Sequence, residues 1–294
     1  MQSRIETINN AASGLPTVWS VGDADDPDFL EAFDLLHATA NVIRFADAAH
    51  AAGDSDCAER SPDLILFAAS RSGMLRGRDV ERLRRRVPLA GLVALLGSWC
   101  EGETRTGRPA PGVLRCFWYD FPHWWRRQLA LRVAGLCPDW ARPATKDAYD
   151  PGTNLQHVRN SSGGLIVLET TCWETGDALG DVLRASGYAT VWIRPGGCGA
   201  QVCGATAGIW EGRQLDEPEV SRLSEFCRRL AKDDAPVIAL ADFPRRERCE
   251  VAYRAGAAAV LGKPWLNADL LATLERLRQR SVRSDTDSKI ARAA

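Results

Sequence analysis

Apolar stretches of strand length alternate along the chain with stretches in which apolar residues recur at helical spacing. The strand-like stretches of the first half are Thr17–Asp23, Asn41–Phe45, Pro62–Ala68, Leu89–Leu96 and Gly112–Trp118. Helical patterns lie at Asp28–His37, Arg78–Arg86 and Pro122–Ala134. Strands that alternate with helices predict a parallel, doubly wound sheet.

The same order of elements recurs in the second half of the chain. Its predicted strands and helices are Leu165–Leu168, Ala178–Arg184, Ala189–Ile193, Ala207–Trp210, Val220–Leu230, Val237–Leu240, Arg245–Arg254, Ala258–Leu261 and Leu266–Leu277. Matching elements lie about 145 positions apart, as Ala94 and Ala239 do, which indicates an internal duplication. The pattern predicts one domain at 17–135, a linker at 136–163, a second domain at 164–280 and a disordered tail at 281–294.

The end of the second half carries a family resemblance. The apolar run Pro236–Ala241, an amphipathic stretch, the run Ala257–Leu261 and the step Lys263-Pro264 resemble the closing elements of a response-regulator receiver domain, the CheY-like family. The resemblance covers roughly residues 164–280, and it extends to the first half only through the order, length and offset of the elements. It implies two doubly wound parallel-sheet domains of the flavodoxin/CheY-like type in tandem.

The resemblance also implies where a phosphorylation site would lie in the second domain. Receivers hold Mg²⁺ with acids after the first strand, phosphorylate an Asp after the third, and bind phosphoryl oxygens with a hydroxyl and a Lys after the fourth and fifth. These positions correspond here to Glu169, Thr170, Glu211, Ala241 and Lys263. One acid is Thr, the nucleophile is Glu and the hydroxyl is missing, so we expect no phosphorylation.

Two interpretations of Glu211 and Lys263 are open. They form an ordinary structural ion pair, or Glu211 permanently imitates a phosphorylated Asp. Either way, Glu169, Glu211 and Lys263 are predicted to line a degenerate phosphorylation pocket in the second domain, and Asp23 marks the corresponding pocket of the first domain.

The first domain is predicted to lack the nucleophile altogether. The resemblance places the metal-ligand position on Asp23, the nucleophile on Ala68 or Ala69 and the lysine on Cys116 or a neighbour. No carboxylate remains at the nucleophile position, so we expect no phosphorylation of this domain either.

The acidic stretch that begins at Asp23 admits two interpretations. Asp23, Asp25, Asp26 and Asp28 together suit a hard cation such as Mg²⁺ or Ca²⁺. Alternatively, they precede a helix whose first position is Pro27, where Asp residues cap the helix and favour the positive end of its dipole. We predict neither a bound metal nor a cofactor.

A loop is predicted where the second domain has a helix. Gly and Pro residues disfavour a helix over Ser98–Gly112, which follows the fourth strand of the first domain. Such a loop is either a recognition surface or a plain solvated connection. The residues that would bind are Trp99, Glu101, Glu103, Arg105 and Arg108.

Trp265 is the second candidate for protein binding. The resemblance places it beside the face built from the fourth helix, fifth strand and fifth helix, through which receivers signal. An exposed Trp there would be a binding anchor, whereas a buried one would pack against the last helix.

Composition excludes several classes of protein. The 294 residues carry a net charge of −1, which argues against direct nucleic-acid binding. The apolar runs are too short for a membrane helix, and residues 1–7 lack the apolar core of a signal peptide. Nine cysteines without regular spacing indicate reduced thiols in the cytoplasm.

These observations predict a non-catalytic regulatory or scaffold protein. Both receiver-like domains would be unable to accept phosphate and would act through contacts with a protein partner, with a homodimer as one form of such contact. The alternative is a small-molecule or metal sensor that uses the carboxyl edge of the first domain, where Asp23 and the 98–112 loop lie.

Overall fold

The computed structural model describes residues 14–53, 61–101, 110–142, 163–195 and 202–279. The chain divides between Tyr149 and Asp150 into two compact units. None of the helices in the described ranges combines the length and the apolar character that a membrane span requires.

The first unit is a five-stranded parallel sheet with helices between the strands. The strands are β1 Thr17–Gly22, β2 Asn41–Phe45, β3 Leu64–Arg71, β4 Gly91–Trp99 and β5 Leu114–Phe117, in the order β2-β1-β3-β4-β5. The helices are α1 Leu30–Thr39, α2 Ala48–Gly53, α3 Gly77–Arg86 and α4 Phe121–Val133. Of these, α2 was not predicted, because its Ala-rich sequence has no apolar periodicity.

The second unit repeats this architecture. Its strands are β6 Leu165–Glu169, β7 Ala189–Ile193, β8 Ala205–Glu211, β9 Val237–Asp242 and β10 Ala259–Lys263, in the order β10-β9-β8-β6-β7. The helices are α5 Trp173–Ala185, α6 Glu217–Leu230, α7 Arg246–Arg254 and α8 at 267–279. Read from the opposite edge, this strand order is the same as in the first unit.

The strand order confirms the predicted fold class. Counted within each unit, both sheets have the order 2-1-3-4-5, which is that of flavodoxin and CheY. All strand pairs are parallel. The chain therefore contains two CheY-like α/β domains in tandem.

Each face of the second sheet is covered by different helices. One face packs against apolar residues of α5 and α8. The strand residues that point to this face include Ile166, Leu168, Ile209, Leu240 and Leu261. Alternate residues of a strand point to opposite faces, so their neighbours face α6. This assignment decides which side chains can meet at the ends of the strands.

Part of the predicted linker is folded onto the first unit. Trp140 stacks on Trp125 of α4, with ring centroids 5.1 Å apart. It also covers Gly91, where an added Cβ would lie 2.3 Å from the Trp140 carbonyl oxygen. The neighbouring Asp139 accepts hydrogen bonds from Arg127 and Gln128. The segment around Trp140 thus belongs to the first domain, whereas residues 143–162 of the linker and the tail at 281–294 lie outside the described residues.

Candidate functional site

Three charged side chains meet at the carboxyl ends of the strands in the second unit. The ammonium nitrogen of Lys263 lies 2.9 Å from Oε1 of Glu211 and 2.7 Å from Oδ1 of Asp242. These residues end β8, β9 and β10, and each continues the strand face that carries Ile209, Leu240 and Leu261. The expected ion pair between Lys263 and Glu211 is present.

The pair is largely shielded from water. The side chain of Glu211 is 7% exposed and that of Lys263 is 17% exposed. The backbone N–H and the hydroxyl of Thr171 donate to the second carboxylate oxygen of Glu211, at 3.2 and 3.3 Å. Each oxygen of the carboxylate therefore has a partner, as a buried charge requires.

The two carboxylates raise the pKa of Lys263. Burial alone would lower this pKa, because it disfavours the charged ammonium. The hydrogen bonds to Asp242 and Glu211, together with their charges, outweigh burial and hold the pKa above its ordinary value. Lys263 is therefore a cation at any physiological pH.

Asp242 is the member of this cluster that sequence reasoning missed. It follows Ala241, the position where receivers carry a hydroxyl, and it is the register partner of Lys263 on the neighbouring strand. The alternation of side chains along a strand could have revealed it. Residues two apart point to the same face of the sheet, and Asp242 lies two residues after the core residue Leu240.

Glu169 does not join the cluster. It follows Leu168 by one residue and therefore points to the opposite face, where its carboxylate lies 2.6 Å from Arg229 of α6. Burial raises the pKa of Glu169 above its ordinary value, although Arg229 and the Trp210 indole act in the opposite direction. Among the described residues, Lys263 pairs with Glu211 and Asp242, and Glu169 with Arg229.

Thr170 stands at the second acidic position of receivers, and its side chain also makes its hydrogen bonds away from Lys263. It is fully buried, accepts a hydrogen bond from the Trp192 indole at 2.8 Å and donates to the Cys172 carbonyl at 2.9 Å. Neither position of the acidic pair therefore faces Lys263.

We expect Arg229→Met to destabilise the second unit far more than Glu169→Gln. Without Arg229, the buried Glu169 carboxylate loses its counter-ion, which costs about 3 kcal/mol. Without the carboxylate, the partly exposed Arg229 is still hydrated, so the cost is about 1 kcal/mol or less. Urea unfolding of the full-length chain at neutral pH measures both losses.

The decrease in the free energy of unfolding that Arg229→Met causes should become smaller as the pH falls. The folded pKa of Glu169 is raised, so ionisation disfavours the folded state above that pKa and has no effect below the unfolded value of about 4.3. The free energy of unfolding of the variant should therefore approach that of the wild type under mildly acidic conditions. If Arg229→Met and Glu169→Gln lowered the free energy of unfolding equally and at every pH, Arg229 would not be the counter-ion of a buried Glu169 carboxylate.

The first unit has a polar pair near the predicted nucleophile position. Ala68 and Ala69 are buried within β3, and Ser70 follows them. The hydroxyl of Ser70 donates to the Asp23 carboxylate at 2.7 Å. Cys116, at the position of the lysine, is buried in β5. Sequence reasoning missed Ser70, whose contact with Asp23 depends on the pairing of β1 with β3.

The acidic stretch after β1 caps a turn and makes separate contacts. Asp26 accepts a hydrogen bond from the backbone N–H of Asp28 at 2.9 Å, and Pro27 begins the 3₁₀ turn Pro27–Phe29. The capping interpretation is thus confirmed for Asp26. Asp25 pairs with Arg44 at 2.6 Å, and the Asp28 carboxylate accepts from the Ser98 N–H at 2.8 Å. Within the described ranges, no three His, Cys, Asp or Glu residues are grouped to hold a metal ion.

Trp99 is the most exposed tryptophan of the described chain. It ends β4 beside Arg71 of β3, and its side chain is 68% exposed. Glu101 is half-buried. The other three predicted binding residues of the loop, Glu103, Arg105 and Arg108, lie outside the described residues.

Trp265 has a different environment from Trp99. It is half-buried and packs against the core of the second unit, which includes Leu270 and Leu274 of α8. Of the two interpretations, the structure therefore favours packing against the last helix over a free binding anchor.

Comparison with known proteins gives matches to solved structures alone. Neither a protein-family model nor a curated protein matches the chain. A Francisella response-regulator receiver domain matches with 14% identity and a TM-score of 0.33, over 40% of this chain and 99% of that chain. A CheY-like protein from Mesorhizobium loti matches with 19% identity and a TM-score of 0.33, over 40% of this chain and 99% of that chain.

A longer protein is also similar to this chain. NtrX from Brucella abortus in complex with ADP matches with 16% identity and a TM-score of 0.36, over 44% of this chain and 29% of that chain. The likeness is one of fold. At such identities nothing about phosphorylation, ligands or partners follows from it, so function has to be argued from the site.

Proposed function

We propose that this protein is a regulatory or scaffold protein that works without phosphorylation and through contacts with other proteins. The observation that carries the proposal is the engagement of Lys263 by both Glu211 and Asp242. The cation that would bind a phosphoryl group is already neutralised by two carboxylates of the chain. A further anion would be repelled by both, and it would have to displace a shielded ion pair.

The nucleophile position supports the same proposal in both units. Glu211 has each carboxylate oxygen engaged, by Lys263 on one side and Thr171 on the other. In the first unit the residues at this position are Ala68 and Ala69, which offer no oxygen to attack a phosphorus atom. The Ser70 hydroxyl donates to one oxygen of the exposed Asp23 carboxylate.

A domain that is not phosphorylated can still act through contacts made by its surface. We propose that Trp99 anchors a protein partner, because it presents a large aromatic side chain at the carboxyl edge of the first unit. A homodimer is one form that such a contact could take. We place the protein in a reducing compartment such as the cytoplasm, because its nine cysteines show no regular spacing.

Incubation of the full-length protein with acetyl phosphate and Mg²⁺ tests the loss of phosphorylation. We expect no gain of a phosphoryl group in the intact mass, whereas a functional receiver treated in parallel should gain one. A stoichiometric, hydroxylamine-labile adduct on either unit would refute the proposal, because that lability identifies an acyl phosphate.

A further inference from the structure

The loop that follows Glu211 is held by a carboxylate from the next helix. Residues 212–216 connect β8 to α6, and Glu219 lies in the first turn of α6. Its carboxylate accepts backbone hydrogen bonds from Arg213 at 3.0 Å, Gln214 at 3.0 Å and Leu215 at 2.8 Å. Three successive N–H groups that converge on one anion form a backbone nest, and Glu219 fills it.

The conformation of the loop depends on this contact. Leu215 is fully buried with a φ of 53°, a left-handed conformation that is unfavourable for a residue other than glycine. Asp216, the N-cap of α6, accepts the backbone N–H of Glu219 at 3.0 Å, which fixes the start of the helix beside the loop. Without the Glu219 carboxylate, three N–H groups would lose their acceptor, and the strained Leu215 would lose one of the contacts that hold it.

The same loop is bonded to the neighbouring loop and to α7. The backbone N–H of Asp242 donates to the Arg213 carbonyl at 2.7 Å. The guanidinium of Arg248, in α7, donates to the Leu215 carbonyl at 3.0 Å. Asp242 is also the second partner of Lys263. A continuous chain of contacts therefore runs from Glu219 to the Lys263 cluster and to α7.

We propose that Glu219 is an internal anion that holds the carboxyl edge of the second unit in a single conformation. The 212–216 loop, the end of β9 and the start of α7 are then one rigid assembly, whose geometry is set by the chain itself. This inference goes beyond the proposed function, because it requires neither a partner nor the loss of phosphorylation.

Residue-resolved hydrogen exchange of the full-length protein tests the proposal with Glu219→Gln. The variant keeps the size of the side chain but loses its charge and one acceptor oxygen, and it turns an amide donor toward the N–H groups. We expect the amides of Arg213, Gln214 and Leu215 to exchange at least about tenfold faster than in the wild type. The amide of Asp242, bonded to the Arg213 carbonyl, should accelerate with them.

Glu217→Gln is the matched control. Glu217 is also in the first turn of α6, but its side chain is exposed, whereas Glu219 is buried. Its loss removes the same charge from the same helix end, so it reports the dipole effect alone. We expect exchange of residues 213–215 to change by about twofold or less in this variant. Similar acceleration in both variants would overturn the proposal, and so would acceleration that stops short of Asp242.

Arg248→Met keeps the proposal falsifiable if Glu219→Gln does not fold, and Glu219→Ala adds a rescue experiment. In Glu219→Ala, added acetate should slow the exchange of residues 213–215 again, whereas chloride at equal ionic strength should not. Arg248→Met leaves the nest intact, so we expect faster exchange at the start of α7 with residues 213–215 still protected. Absence of rescue by acetate, or unchanged exchange in α7, would overturn the corresponding part of the proposal.

Discussion

Replacing Lys263 with Met should destabilise the second unit by about 3 kcal/mol. The substitution preserves much of the side-chain volume but leaves the buried Glu211 without a counter-ion and Asp242 with only the exposed Arg213 beside it. Glu211 is only 7% exposed, so water cannot replace the ammonium. Urea unfolding of the full-length chain, followed by circular dichroism, measures the change in the free energy of unfolding.

Arg213→Met is the control for this experiment. Arg213 is also a cation beside Asp242, at 3.8 Å, but its side chain is 77% exposed. Exposed ion pairs contribute little, so we expect a loss of about 0.5 kcal/mol or less. Adding Glu211→Gln to Lys263→Met should restore part of the lost stability, because it removes the buried charge that the loss of Lys263 leaves unpaired. Equal losses for Lys263→Met and Arg213→Met would contradict the shielded ion pair.

The stability that Lys263 provides should depend on pH only under alkaline conditions. Its pKa is raised in the folded state, so the folded state binds the proton more tightly than the unfolded state does. The contribution is complete below the unfolded pKa of about 10.4 and is lost as the pH rises through the folded value. The difference between the wild type and Lys263→Met should therefore stay constant around neutrality and narrow at strongly alkaline pH.

Trp99→Ala should strongly weaken partner binding without unfolding the first unit. An exposed aromatic anchor at the centre of an interface contributes about 2 kcal/mol or more to binding, which corresponds to a loss of affinity of at least about 30-fold. Because Trp99 is 68% exposed, we expect its removal to change the free energy of unfolding by about 0.5 kcal/mol or less. Combining it with Arg105→Ala, from the same predicted recognition loop, should remove any residual binding.

The measurement starts from the full-length protein immobilised as bait in an extract of its host. Quantitative mass spectrometry identifies the partners retained by the wild type, and titration with the purified partner then gives the affinities. Trp173→Ala is the matched control, since Trp173 is 59% exposed but lies in the second unit. If Trp99→Ala unfolds the first unit, or binds the partner as Trp173→Ala does, Trp99 is not the anchor. Slow hydrogen exchange around Trp99 in the free protein would indicate a structural role instead.

Local patterns in the sequence determined most of the fold. Apolar runs bounded by Gly, Pro and acidic residues give strands, and the repeat offset indicates two similar units, because these signals depend on neighbours in the chain. The contact between Lys263 and Glu211 was predictable for the same reason: both residues end apolar strands, and the carboxyl ends of parallel strands lie at one edge of a sheet. The capping role of Asp26 beside Pro27 was equally local.

Only the tertiary structure decided which side chains complete the candidate site. A shift of one residue along a strand moves a side chain to the other face, which is why Glu169 meets Arg229 while Asp242 meets Lys263. Ser70 reaches Asp23 through the pairing of β1 with β3, and Trp140 packs on Trp125 through a segment without periodicity. These contacts depend on strand register and on packing between residues distant in sequence, which local hydrophobic periodicity does not encode.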